Sequence, residues 1–299
     1  MASLRDIRKH IASVKSIKQI TYAMKMVAAA RIKRAQASIM AARPFAVEMD
    51  RLIADLYREL GEEDLSGTAA RELFEERPAG GTLCLVLVTA DKGLCGSFNT
   101  NLLKAATAWL KENCGRKICV VAVGRKGRDF LRRLKGLDLE LKYELVGIFP
   151  KAGYVHAQLL TDTIVNLYRS APVESVTLIY NEFKSMMAQR IITDRLLPLK
   201  SHIGTASKER TSGTDFAFEP GKKELLSALL PRHLGAQLYR TLLESQAAEL
   251  AARMNAMESA SKNASELIEG LTLKMNKTRQ AMITTELNEI VGGSEALNG

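Results

Sequence analysis

Proline, which interrupts helices and strands, is almost absent from both ends of this 299-residue chain, and glycine is absent from its first 60 residues. The first glycine is Gly61, and Pro44 is the only proline before Pro78. No proline follows Pro231. Because these residues break helices and strands, their scarcity predicts long uninterrupted helices at the two ends.

Apolar side chains recur along both ends at the spacing of a coiled-coil seam, about one every 3.5 residues. The N-terminal series is Leu4, Ile7, Ile11, Val14, Ile17, Ile20, Met24, Val27, Ile32, Ala35, Ile39, Ala42, Ala46, Met49, Ile53 and Leu56. The C-terminal series is Leu234, Leu238, Leu242, Ala248, Ala252, Ala256, Ala260, Ala264, Leu267, Leu271, Met275 and Met282. Stripes at opposite ends of a chain pair most simply with each other, which predicts an antiparallel coiled coil.

Helices of about fifty to seventy residues would be roughly 75–105 Å long. A compact chain of this size has a radius of gyration of only about 19 Å. We therefore expect the two helices to project from a globular domain; the alternative is a pair of bundle helices packed within their own domain. Ser3 and Asp6 predict a capping-box-like start, and Pro44 should kink the first helix, cost it one hydrogen bond or split it.

The middle of the chain alternates strand-like and helix-like segments. Strands are predicted at 82–89, 118–124, 139–146 and 175–181, and helix-like stretches separate them. A last strand at 190–196 follows too soon for a crossover helix, so we expect it to be antiparallel. This alternation predicts a small Rossmann-like, mostly parallel α/β domain.

The predicted fold class is therefore α/β, with a long antiparallel coiled coil of the terminal helices added to that domain. The predicted segments are a first shaft helix (1–60), a variable loop (61–81), the α/β domain (82–200), a second loop (201–221) and a second shaft helix (222–299).

The net charge of +10 is concentrated at the N-terminal end. Residues 1–43 hold ten lysines and arginines against a single acid, Asp6. A surplus of this kind is typical of contact with nucleic acid, an anionic membrane or an acidic protein. The chain has no run of about 18 apolar residues, so no transmembrane helix is predicted.

No motif for catalysis, metal binding or nucleotide binding is complete. The segment Thr89–Gly96 follows a strand and opens a helix, where a parallel sheet would bind a phosphate, but neither it nor Gly124–Gly127 carries a full phosphate-binding pattern. The histidines are scattered, and the cysteine spacings fit no zinc or redox motif. Cys84 and Cys119 fall in strands and are expected to be buried, whereas Cys95 lies in a turn, where a thiol is open to reaction.

Three classes of function remain open on this reasoning. A basic helix followed by a heptad seam is typical of a coiled-coil nucleic-acid-binding protein. An α/β domain is also the fold of dinucleotide enzymes, although the glycines that such enzymes need are missing. The third class is a mechanical or scaffolding protein, a stalk whose basic helix meets an acidic protein surface.

Three motifs then resemble one family in the expected order along the chain. The start carries Arg5-Asp-Ile-Arg8 and Ile20-Thr-Tyr-Ala-Met24-Lys-Met-Val-Ala-Ala29. The turn Asp91-Lys-Gly-Leu-Cys-Gly96 and the ending Arg279-Gln-Ala-Met-Ile-Thr284-Thr-Glu286 follow. Together they resemble the γ subunit of bacterial F-type ATP synthases; Lys92 departs from the arginine common in that family, and 61–81 matches nothing well.

The resemblance implies a central-stalk rotor that couples rotation of the c-subunit ring to conformational changes at the catalytic β subunits. It implies contacts with α, β, ε and the c ring, no contact with nucleic acid, and no active site or cofactor in this chain. It places the protein at the cytoplasmic face of the bacterial inner membrane, held there through the complex. No transit peptide is expected.

The resemblance also assigns residues. Met24 matches the position where the shaft passes the acidic helix–turn of β, and Arg279 and Gln280 match a pair that engages a β loop. Other positions linked to coupling are Arg253, Thr284 and Glu286. Charge alone adds Arg31, Lys33 and Arg34 as the basic side of the β contact. The apolar residues expected at the shaft tip are Met282, Ile283, Leu287 and Ile290.

Overall fold

A computed structural model describes residues 3–64, 71–134, 136, 138–170, 172–199 and 221–298. Six helices and five strands lie in these ranges. The helices are α1 (Leu4–Asp64), α2 (Arg71–Phe74), α3 (Phe98–Glu112), α4 (Arg125–Leu131), α5 (Tyr154–Ser170) and α6 (Lys222–Asn298). The strands are β1 (Thr82–Val88), β2 (Ile118–Val123), β3 (Leu139–Leu145), β4 (Val173–Phe183) and β5 (Gln189–Leu197). Residues 65–70 of the predicted loop 61–81 and residues 201–220 of the predicted loop 201–221 lie outside the described residues.

The two terminal helices are as long as the sequence predicts. The predicted cap of α1 is present: the Asp6 amide donates to Ser3 Oγ at 3.2 Å, and the Ser3 amide donates to Asp6 Oδ2 at 3.2 Å. α1 continues through Pro44, so the expectation that proline splits it is wrong. Proline removes one backbone hydrogen bond, but burial of nearby Met49 and Ile53 holds the helix together.

One sheet has the strand order β3-β2-β1-β4-β5. β1 pairs in parallel with β2 and β4, and β2 pairs in parallel with β3. β5 is antiparallel to β4, with Thr193 opposite Ile179. The predicted Rossmann-like, mostly parallel sheet with an antiparallel last strand is confirmed.

Backbone contacts divide the chain into two compact units. The larger is Ala30–Ala252 and contains the whole sheet. In it, α1, α5 and α6 cover one face of the sheet, and α3 and α4 cover the other. Asp50 Oδ1 lies 3.3 Å from His233 Nδ1, and Glu59 Oε2 lies 2.5 Å from Lys222 Nζ. From the first pair to the second, the residue number rises on α1 and falls on α6, so the two helices are antiparallel here.

The smaller unit consists of Met1–Ala29 and Arg253–Gly299. It holds helical segments from both ends of the chain, joined by an ion pair of 2.6 Å between Lys25 Nζ and Glu258 Oε1. The buried α1 positions here are Ile7, Ile11, Val14, Thr21 and Ala28. Their spacing fits a 3.5-residue repeat that also includes Lys18 and the half-buried Lys25.

On α1 the predicted seam is right as far as Val14, wrong from Ile17 to Val27, and right again at the buried residues Ile32, Ala35, Met49, Ile53 and Leu56. Ile17, Ile20 and Val27 are 50%, 59% and 50% exposed. The observed seam keeps its 3.5-residue period with a threonine and an alanine at two of its positions. The larger apolar side chains therefore lie beside the seam. On α6, Leu267 was expected in the seam and is 47% exposed, whereas Met257 and Ala264 are buried.

Within the described residues, no helix is both long enough and apolar enough to cross a membrane.

Candidate functional site

The basic residues assigned on α1 project into solvent. Arg31, Lys33 and Arg34 are all exposed, and none of them forms an ion pair with another described residue. Between them, Ile32 is fully buried. The helix therefore packs its apolar side against the rest of the larger unit, and the three cations remain available to a partner.

Met24 is half-buried and lies in the smaller unit. It belongs to a row of side chains that we call the α1 stripe: Ile17, Ile20, Met24 and Val27. Their spacing of three, four and three residues places all four on one face of the helix. Sequence reasoning assigned the whole stripe to the seam and so missed three exposed apolar contact residues. The sequence did carry a signal for this. A strict heptad from Ile7 to Ala28 fits the same stretch and leaves the α1 stripe outside the seam.

The residues assigned near the end of α6 are exposed as well. Arg279, Gln280 and Glu286 all face solvent. Thr284 is exposed too, and its hydroxyl donates to the backbone carbonyl of Gln280 at 3.0 Å. Seven residues separate Arg279 from Glu286, so these two opposite charges share one face of the helix.

Arg253, the remaining assigned residue of α6, is half-buried in the same unit. The described structure thus keeps the assigned residues in separate groups along the two helices, and it does not gather them into a pocket.

The four residues expected at the tip are exposed although they are apolar. Met282, Ile283, Leu287 and Ile290 are 45%, 47%, 56% and 66% exposed. All side chains from 281 to 294 are exposed, so no described part of the chain covers this stretch. An exposed apolar surface of this kind marks an interaction site.

The carboxyl edge of the sheet, where a nucleotide phosphate would be expected, is filled by Asp91. Its Oδ1 accepts from the amides of Arg125 at 3.0 Å and Gly147 at 2.9 Å. Its Oδ2 accepts from the amide of Phe149 at 3.1 Å. The carboxylate therefore takes amide donors that a phosphate would need, and it ties the chain after β1 to the chain after β2 and β3.

The neighbouring turn leaves no room for a ligand either. Gly124 has φ +89°, and a Cβ there would lie 2.1 Å from the carbonyl oxygen of Thr89. The Thr89 hydroxyl accepts from the Gly127 amide at 2.8 Å and lies 3.1 Å from the carbonyl of Val123. The glycines that the sequence places here serve close packing between β1 and α4.

A second carboxylate organises the opposite edge of the sheet. Glu174 is ion-paired with Arg116 and accepts from the amides of Gly80 and Gly81 at 2.9 and 3.2 Å. The hydrogen bond from Arg116 holds the pKa of Glu174 below its usual value, and the backbone donors act in the same direction.

Three of the four cysteines lie in the core. Cys84 and Cys119 are buried as predicted and face each other across β1 and β2. Their mutual hydrogen bond and burial raise the pKa of Cys84. Cys95 is also buried, and its sulfur accepts from Asn99 Nδ2 at 3.1 Å, so it is not the open thiol that its turn suggested. Among the described residues, no cluster of His, Cys, Asp or Glu is suited to hold a metal ion.

Two long helices and a doubly wound α/β domain, with exposed charged and apolar side chains along the helices, are typical of a protein that works by contact with other proteins. Comparison with known proteins identifies the family. Residues 3–297 match the family model described as ATP synthase. The gamma chain of Elusimicrobium minutum is 47% identical over the full length of both chains. The gamma chain of Desulfitobacterium hafniense is 41% identical over 99% of this chain and all of its own.

Solved structures give the same result. The central stalk of the Tetrahymena thermophila mitochondrial ATP synthase is 27% identical, with a TM-score of 0.60 over 81% of this chain and 99% of its own. A chain of the Euglena gracilis mitochondrial enzyme shares the fold, with a TM-score of 0.68 at 20% identity, over 98% of this chain and 94% of its own.

The chain belongs to the ATP synthase gamma chain family. The predicted fold class and the predicted function, a central-stalk rotor subunit of an F-type ATP synthase, are confirmed. The alternative, a basic coiled-coil protein that binds nucleic acid, is not supported.

Proposed function

We propose that this chain transmits torque through two groups of side chains on its terminal helices and has no active site of its own. The first group is on α1: Met24, Arg31, Lys33 and Arg34. The second is on α6: Arg253, Arg279, Gln280, Thr284 and Glu286, followed by the tip residues. In this proposal the groups contact the β subunits, and catalysis takes place on β.

The observation that carries the proposal is the kind of surface these residues present. A rotor must turn inside its partners, so a large apolar interface would lock it. The exposed cations of α1 suit contacts that form and break, because an exposed ion pair contributes only about 0.2–1 kcal/mol. The exposed apolar tip of α6 has few groups that form directional bonds, so it can slide within a sleeve of protein.

The other expected partners follow from the same proposal. The α and β subunits surround the long helices, while the c ring and the ε subunit bind the α/β domain. The protein is held at the cytoplasmic face of a bacterial inner membrane through these partners. The absence of any spanning helix from the described residues is compatible with a peripheral position.

Replacing Arg279 and Gln280 together by alanine tests the second group. Both side chains are exposed, so the fold should survive. Loss of hydrogen bonds that include a charged partner, at about 1.5–3 kcal/mol each, should lower proton-driven ATP synthesis about tenfold or more. The measurement is the rate of synthesis by membrane vesicles whose complexes are quantified by the amount of β.

The matched control is Lys262→Ala with Asn263→Ala, which also removes one cation and one amide from adjacent exposed positions of α6. Synthesis by the control should stay within about twofold of the parent. Equal rates for the parent and the Arg279/Gln280 variant would overturn the assigned role.

A further inference from the structure

A groove runs between α3 and α4 on the outer surface of the α/β domain. It encloses about 450 Å³. Its lining residues are Thr100, Leu103, Lys104, Thr107, Ala108, Lys111 and Phe130. All belong to the larger unit, and the groove is far along the chain from every residue assigned to the rotor contacts.

The floor of the groove is apolar. Leu103 and Phe130 are half-buried and pack against the core on this face of the sheet. Ala108, which also lines the groove, is exposed. Leu103, Thr107 and Lys111 follow one another at intervals of four residues along α3, so one stripe of the helix forms one wall. A floor of this kind accepts aliphatic side chains from a partner.

The rim is basic. Lys104 and Lys111 stand on the α3 side and are exposed. On the α4 side, Lys126 and Arg133 lie four residues before and three after Phe130, on the same face. Among the described residues, Lys104, Lys111 and Lys126 form no ion pair.

The acidic side chains beside α4 are already neutralised. Asp129 Oδ1 accepts from Arg128 at 2.7 and 2.9 Å, and Glu144 Oε2 lies 2.8 Å from Arg132. The hydrogen bond from Arg128 lowers the pKa of Asp129, so that carboxylate stays charged and paired. The free charge of the groove is therefore positive, carried by lysines that form no ion pair within the described part of the chain.

We infer that this groove is a docking site for an acidic amphipathic helix of a protein partner. The apolar side chains of that helix enter between α3 and α4, and its carboxylates meet the lysines of the rim. Helix-in-groove recognition uses anchors spaced by three or four residues, which matches the stripe along α3. A nucleic acid fits less well, because Phe130 is the single aromatic among the lining residues and bases bind by stacking on aromatic rings.

A pair of synthetic peptides tests the inference on the full chain. The probe is a helical peptide of about four turns with leucines every three or four residues and glutamates beside them. Its first control carries glutamine for glutamate, and its second carries serine for leucine. Fluorescence anisotropy should show saturable binding of the probe, weakening with salt, and binding at least about tenfold weaker for both controls. Amide exchange should slow in α3 and α4 and nowhere else.

Variants of the chain localise the binding. Lys104→Glu with Lys111→Glu should weaken the probe at least about tenfold. Lys117→Glu with Lys151→Glu makes the same charge change at other exposed positions of the domain and should change binding less than about twofold. Ala108→Arg fills the groove while adding positive charge, so it should also abolish binding.

Three outcomes would overturn the inference. They are equal loss in both lysine pairs, unchanged or tighter binding by Ala108→Arg, and binding of an oligonucleotide in the groove more tightly than the peptide. The inference does not rest on the proposed rotor contacts, because none of their residues is changed in this experiment.

Discussion

At the scale of single residues, Asp91 explains why this α/β domain, whose fold is like that of nucleotide-binding proteins, need not bind a nucleotide. Three backbone amides converge on its carboxylate at 2.9–3.1 Å. In the sequence, the segment around Asp91 looks like an incomplete phosphate loop. In the structure the anion is supplied by the chain itself, and it fixes the turns at the carboxyl ends of β1, β2 and β3.

Replacing Asp91 by asparagine tests this reading. The amide group would turn an NH₂ toward backbone donors and would lose the charge, so at least one buried amide is left without an acceptor. We expect a loss of about 1.5–3 kcal/mol in the free energy of unfolding. Asp162→Asn changes an exposed carboxylate of α5 and should cost less than about 0.5 kcal/mol. Chemical denaturation measures both, and equal losses would contradict the role given to Asp91.

Met24→Lys is a second prediction at this scale. In the proposed rotor, Met24 meets the moving part of β, and a lysine there adds a cation to a contact that already holds the cations of α1. Proton pumping per ATP hydrolysed should fall, while hydrolysis itself continues. Met24→Leu keeps an apolar side chain of similar volume and should pump normally. A ratio unchanged in Met24→Lys would count against the contact.

At the scale of elements, α1 shows what sequence periodicity can and cannot decide. The existence and length of the helix follow from the scarcity of glycine and proline, and the cap follows from Ser3 and Asp6. The seam does not follow from Ile17 to Val27, because an exposed isoleucine has the same hydropathy as one that faces a partner helix. The burial of Thr21 and Ala28 depends on close packing that a list of apolar residues cannot reveal.

The same limit applies to the candidate site. Cations such as Arg31 can be read from the sequence, because a charged side chain on a helix faces solvent by default. The exposed α1 stripe could not be recognised before burial was known. The groove between α3 and α4 was also invisible, because its walls come from two helices separated by a strand.

A comparison of two isoleucines on α1 tests the corrected seam. Ile11 is 9% exposed and Ile17 is 50% exposed. Ile11→Ala removes buried methyl groups and should destabilise the smaller unit by about 2–4 kcal/mol, whereas Ile17→Ala should cost less than about 0.5 kcal/mol. Amide hydrogen exchange over residues 4–28 of the full chain reads out both. The seam predicted from the sequence contains both isoleucines, so comparable losses for the two variants would contradict the corrected seam.

At the scale of the whole molecule, the surplus of positive charge has a specific meaning. The surplus is concentrated in residues 1–43, where ten lysines and arginines face a single acid. In this part of α1 the apolar residues divide between a seam and an exposed stripe. In a gamma chain such a helix fits an acidic protein surface better than DNA. As a central-stalk rotor subunit, this molecule should turn against its partners during ATP turnover.

Direct observation of rotation is the measurement that tests the claim. Cys114 is exposed on the α/β domain, whereas Cys84, Cys95 and Cys119 are buried, so a thiol-reactive biotin should attach a bead at one natural position. The chain is assembled with its α and β subunits, and β is fixed to a glass surface. ATP should drive continuous rotation of the bead in one direction, and removal of ATP should stop it. A bead that stays still while the same complexes hydrolyse ATP would contradict the account.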